Sequence, residues 1–127
     1  MGSVSPGCRG SMQEREYKKL CELAEQKLPL AKIATGPKDE LGLGREFNPH
    51  MNLTMIVQNL NRFEEIMGVE LVKTALNSPV TNNRNMALRV VESWKEVPNE
   101  VVEILQKNRD IEPYKEALEK YDLLLAK

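Results

Sequence analysis

The stretch VELVKTALNSPVTNNRNMALRVVESWKEVPNEVVEILQKNRDIEPYKEALEKYDLLL, Val69 to Leu125, decides how this chain folds. Slid by roughly thirty residues, the kind of period that solenoid repeats show, it lays one half on the other. Glu70-Leu71-Val72 falls on Glu100-Val101-Val102, Ala87-Leu88 on Ala117-Leu118, Val91 on Tyr121 and Trp94 on Leu124. Each half, 69–97 and 99–127, reads as a short helix, a polar break and a longer helix. In the first half, Val69, Val72, Ala75 and Leu76 recur at helical spacing up to Asn77-Ser78-Pro79. Proline removes a backbone donor and biases the residue before it away from helix. Thr81 or Asn82 is the expected cap of the next helix. There Ala87, Val90, Val91 and Trp94 form one apolar stripe at i, i+3, i+4 and i+7. In the second half Val101, Val102 and Leu105 make the short helix, and Asn108-Arg109-Asp110 breaks it. Pro113 opens the longer one, which carries Tyr114, Ala117, Leu118, Tyr121, Leu124 and Leu125. Such stripes are hidden only when the helices pack on each other and on neighbours.

These helix–turn–helix pairs, with the small and branched run Ala87-Leu88-Arg89-Val90-Val91, resemble HEAT or armadillo-type helical repeats over the second half of the chain. The resemblance implies an all-α stack of helix pairs with a shallow concave surface. A small irregular helical bundle is the alternative. Two copies are fewer than the roughly three that a solenoid usually needs.

Upstream, Gln13 to Ala34 is helical in pattern, with Tyr17, Leu20, Ala24, Leu28 and Ala31 as its stripe and Cys21 beside it. Pro29 is expected to split that helix near Leu28. Thr35 to His50 is the longest irregular stretch, bounded by Gly36-Pro37 and Asn48-Pro49. Its Gly42-Leu43-Gly44 lacks the preceding strand that a phosphate cradle needs. A second helix is expected from Asn48 as cap, with Pro49 in its first turn, to about Met67. Its stripe is Leu53, Ile56, Val57, Leu60 and Phe63, and Gly68 supplies a left-handed stop. Asn52, Gln58, Asn59 and Asn61 make its other face polar.

With 127 residues, the chain suits one domain over 12–127. Residues 1–11, rich in Gly and Ser and followed by Met12, read as an expression leader that is expected to be poorly ordered. Aromatic residues are only 5%, so aliphatic side chains and six Met must build the core. A net charge of −1 argues against an electrostatic nucleic-acid footprint. Cys8 and Cys21 give neither metal spacing nor a disulfide framework, which favours a reduced, cytoplasmic setting. No apolar run approaches the roughly 20 residues of a membrane span. No cofactor or metal is expected.

Three function classes follow. The leading one is a non-catalytic protein-interaction module whose partner-binding surface is the turn Asn82, Asn83, Arg84 and Asn85. The second is a ligand or catalytic site in the 35–50 loop, drawing on Lys38, Asp39, Glu40, Arg45, Glu46 and His50, the only histidine. The third is nucleic-acid binding through Arg84, Arg89 and Lys95. The wide C-terminal stripe, with Leu123 added, must dock on the domain or meet another chain, and so offers a surface for homo-oligomers.

Overall fold

Residues 6–38, 40–63 and 65–126 are described by the computed structural model, with side chains from Glu14 onward. They form α1 (Pro6–Lys27), α2 (Leu30–Ile33), α3 (Asn48–Val57), α4 (Val69–Leu76), α5 (Thr81–Ser93), α6 (Asn99–Arg109) and α7 (Lys115–Leu125). Short 3-10 turns precede and follow α3, at Arg45–Phe47 and Leu60–Arg62. Among the described residues there is no strand, only an isolated parallel bridge between Glu40 and Val80. The fold is all-α, as the helical periodicity predicts.

The helices pack in two rows. α4 and α5 form the central pair; α2 and α6 lie against α4, and α3 and α7 lie against α5. The pair α6–α7 therefore stacks beside α4–α5 with like helix against like, and α1 adds a cover on the α4 side. Leu71 and Val101, Ala87 and Ala117, Val91 and Tyr121, and Trp94 and Leu124 are all buried.

Local chemistry sets the boundaries, and several differ from expectation. The first helix does break at Leu28-Pro29, but its buried stripe is Cys21 and Ala24 with Tyr17 and Leu28 half-buried. Leu20 and Ala31 face outward, and Cys21 is buried in the core, as expected of an unpaired thiol beside the stripe. Residues 1–5 of the expected leader lie outside the described residues, and from Pro6 the backbone is helical. The helix expected to reach Met67 ends at Val57. Asn59 donates its side-chain amide to the Met55 carbonyl at 3.2 Å, taking an acceptor that a further turn would have used. Phe63 then turns extended and packs its ring against Tyr17, centroids 5.3 Å apart. Asparagine competes with helical backbone bonding in this way.

Caps also shift by one residue. Asn48 is the first helical residue of α3, after Phe47, and makes no capping bond. Val80, not Thr81 or Asn82, precedes α5. Gly68 is left-handed (φ 66°), yet it opens α4 instead of closing α3. A Cβ there would sit 3.2 Å from both Cys21 Sγ and Leu60 Cδ1, so space as well as backbone angle calls for glycine.

α7 docks through Ala117, Tyr121 and Leu124 and leaves Leu123 64% exposed. The outward apolar surface expected on that helix is thus confined largely to this side chain. No described helix is long and apolar enough to cross a membrane. Trp94, the residue just after α5, is 2% exposed and extends the α5 stripe into the core. Trp94→Ala is expected to cost about 3–5 kcal/mol, a large share of the roughly 5–15 kcal/mol that stabilises a typical domain. Chemical denaturation followed by circular dichroism measures that loss, and native Trp emission should lie well to the blue of free indole.

Candidate functional site

The Asn-rich turn was expected to face a partner, and its four residues part company in the fold. Asn82 is exposed and Asn85 half-buried, whereas Asn83 and Arg84 have no exposed surface at all. The first turn of α5 winds both of these side chains into the seams between helix pairs. Asn83 donates from Nδ2 to the His50 carbonyl at 2.9 Å and to Thr54 Oγ1, and its Oδ1 accepts from Ser78 Oγ at 2.8 Å. It ties α5 to α3. Arg84 makes a two-pronged pair with Glu112, Nε to Oε1 at 2.7 Å and Nη2 to Oε2 at 2.8 Å, and donates from Nη1 to the Ser78 carbonyl at 2.9 Å. Glu112 also accepts from the Tyr121 hydroxyl at 3.1 Å and from the Tyr114 backbone N–H at 3.0 Å. Burial and the neighbouring Glu112 charge hold the Tyr121 hydroxyl well above its ordinary pKa, so it stays a donor. The expectation that Asn83 and Arg84 reach a partner is corrected: their donors are used within the chain.

The same burial removes Arg84 from a nucleic-acid surface, leaving Arg89 and Lys95 exposed. No hydrogen bond or ion pair joins the described members of the loop set to one another. Lys38, Glu40, Arg45 and Glu46 are exposed, and Asp39 lies outside the described residues. His50 is buried on α3, and its Nδ1 has no hydrogen-bond partner among the described residues, so none of their carboxylates orients that nitrogen for general-base work. Burial alone lowers its pKa. Cys21 is likewise inert, its thiol pushed up to about 11 by burial, with Glu25 and Glu22 adding to the shift. No group of three or more potential metal ligands occurs among the described residues.

What the fold does assemble is a surface along the second row of helices. Asn82, Asn85, Met86 and Arg89 follow one another along the outer side of α5 at helical spacing. Toward α7 they line a depression of about 290 Å³ with Tyr114, Glu116 and Lys120. Toward the end of α3, Met86 and Arg89 line another of about 240 Å³ with Gln58, Asn59 and Asn61. Met86 and Arg89 therefore join two troughs rich in side-chain amides. The periodicity of α5 signals its outer side; the meeting with α3 and α7 has no signal in sequence.

A third depression, of about 220 Å³, lies where the loop crosses α3 and the start of α5. It is lined by Leu41, Gly42, Leu43, His50, Met51 and Met55, among others. The loop is held there by backbone bonds from Glu40 N to the Pro79 carbonyl and from Thr81 N to the Glu40 carbonyl, both 3.1 Å. Gly42 (φ 76°) passes so close to Val80 that a Cβ would come within 2.9 Å of its Cγ1. Comparisons with family models, curated proteins and solved structures return no match for this chain.

Two measurements follow. Glu112→Ala strands the Arg84 guanidinium in the interior and should cost about 3–5 kcal/mol, whereas replacing both residues by apolar ones of similar volume should recover most of that loss. Denaturant melts of the two variants decide this. His50, favoured neutral when folded, binds a proton more readily in the unfolded chain, whose value lies near 6.5. Its stabilising contribution is therefore present above about pH 6.5 and lost as the pH falls toward the lowered native value. The melting temperature of the parent should drop more steeply than that of His50→Gln between about pH 7.5 and 5.5.

Proposed function

We propose that this chain is a non-catalytic protein-interaction module that holds an extended polypeptide against the outer side of α5. The observation that carries this reading is the continuity of the two troughs through Met86 and Arg89. Amide side chains such as Asn59, Asn61, Asn82 and Asn85 offer both donors and acceptors, which suits the backbone of a bound segment. Met86 is adaptable in shape. Arg89 is exposed and makes no ion pair with any described residue, leaving it available to a partner's carboxylate. The like-on-like stacking of α6–α7 beside α4–α5 supports a HEAT- or armadillo-like reading, since stacked pairs of that kind build extended concave binding surfaces. Asn82 and Asn85 remain in the proposed surface, while Asn83 and Arg84 support it from within. The sparse, unframed cysteines favour the cytoplasm as the setting.

The test replaces two residues that lie outside the core. The parent and the Asn85→Glu/Arg89→Glu variant are immobilised, partners captured from a cell extract are quantified by mass spectrometry, and the affinity of the chief partner is measured by calorimetry. Equal melting temperatures are expected, with partner affinity reduced about thirty-fold, as for loss of an arginine hot spot. A variant that keeps every partner at full affinity overturns the reading.

A further inference from the structure

The cleft between the loop and α3 has features that packing alone does not require. Leu41 and Leu43 on one side and Met51 and Met55 on the other are each more than half exposed, although large apolar residues are usually drawn inward. Between them is His50, only 9% exposed, with an Nδ1 that has no partner among the described residues. A buried polar atom left in that state costs about 1–3 kcal/mol. None of Leu41, Gly42, Leu43, His50, Met51, Thr54, Met55, Val80 and Asn82, which line the cleft, carries a carboxylate, ammonium or guanidinium.

We propose that this cleft is a binding site for one uncharged aromatic ring bearing a hydroxyl group, a phenol, with the ring between the leucine and methionine side chains and the hydroxyl on His50. Size permits it: the cleft of about 220 Å³ exceeds the apolar cavity of roughly 150 Å³ that takes up benzene. Methionine sulfur makes favourable contacts with aromatic rings, and two methionines line one wall. The absence of charged groups among the described lining residues selects against a carboxylate or ammonium on the ligand, which would lose its hydration without compensation. A hydroxyl both donates and accepts, so it satisfies Nδ1 in either neutral tautomer of the imidazole. Burial, which lowers the pKa of His50, keeps that ring neutral. Because the rim side chains are exposed, a ligand reaches the imidazole by turning them aside, while the backbone of the loop stays tied to Pro79 and Thr81. The site adjoins the Met86–Arg89 surface, since Asn82 lines both, but neither proposal depends on the other.

The full chain, labelled at its methionine methyl groups, is titrated with p-cresol, toluene and benzoate by NMR; as the only histidine, His50 gives unambiguous ring signals. Saturable shifts of the Met51 and Met55 methyls and of the His50 ring are expected with p-cresol. Toluene, lacking the hydroxyl, should bind about five-fold more weakly, the worth of one net hydrogen bond, and benzoate more weakly still. His50→Phe should make p-cresol and toluene equal. Met55→Glu, at an exposed position that leaves the core intact, should weaken both. N-acetyltyrosinamide distinguishes the sources: tighter binding than p-cresol indicates a tyrosine presented by a polypeptide, weaker binding a free phenol. Absence of saturable shifts with p-cresol, equal affinities for p-cresol and toluene in the parent, or unchanged affinities in Met55→Glu overturns the proposal.

Discussion

The buried pair between Arg84 and Glu112 is the constraint on which the arrangement of the helices depends. An arginine without solvent contact is stable only if its donors are met, and here the carboxylate takes two of them and the Ser78 carbonyl a third. The carboxylate in turn is held by Tyr121 and by the backbone of Tyr114. Five residues from the first turn of α5, the bend before it, the α6–α7 connection and α7 are thereby fixed at one point. Apolar packing by itself tolerates sliding of one helix on another. A two-pronged ion pair with a fixed geometry sets the register.

Two further polar side chains do the same work at other seams. Asn83 joins α5 to α3 through the His50 carbonyl and Thr54, and Asn108 joins α6 to the end of α4 through the Leu76 carbonyl at 3.0 Å and Asn77 Oδ1 at 2.9 Å. All three are fully buried, and all three bind groups from elsewhere in the chain. Such groups are costly inside a protein unless paired, so they reject arrangements in which their partners are out of reach. The apolar side chains supply the bulk of the burial, and these few supply its uniqueness.

The surface consequences follow from the same frame. With Asn83 and Arg84 drawn inward, the residues on either side of them in the helix, Asn82, Asn85, Met86 and Arg89, are carried to the outer side of α5. The stacking of α3 and α7 on both flanks turns that side into a trough instead of a ridge. The loop before α3 is held by its bridge to Val80, which places Leu41 and Leu43 opposite Met51 and Met55.

Sequence alone gives the helical class, the break at Pro29 and the apolar positions Ala87, Val91, Trp94, Ala117, Tyr121 and Leu124, all of which are buried. These depend on side-chain period and on the backbone chemistry of proline, both of which act over a few residues. The end of α3 is not legible in the pattern, because Leu60 and Phe63 keep a helical spacing even where Asn59 has already turned the chain. The fate of Thr81 to Asn85 was beyond local reading, because Asn and Arg have the same appearance in sequence whether they meet water or a buried partner. Packing settles it, by bringing His50, Thr54, Ser78 and Glu112 to within hydrogen-bonding distance of Asn83 and Arg84. The distinction lies in contacts spanning up to 33 residues of chain, and no periodicity records them.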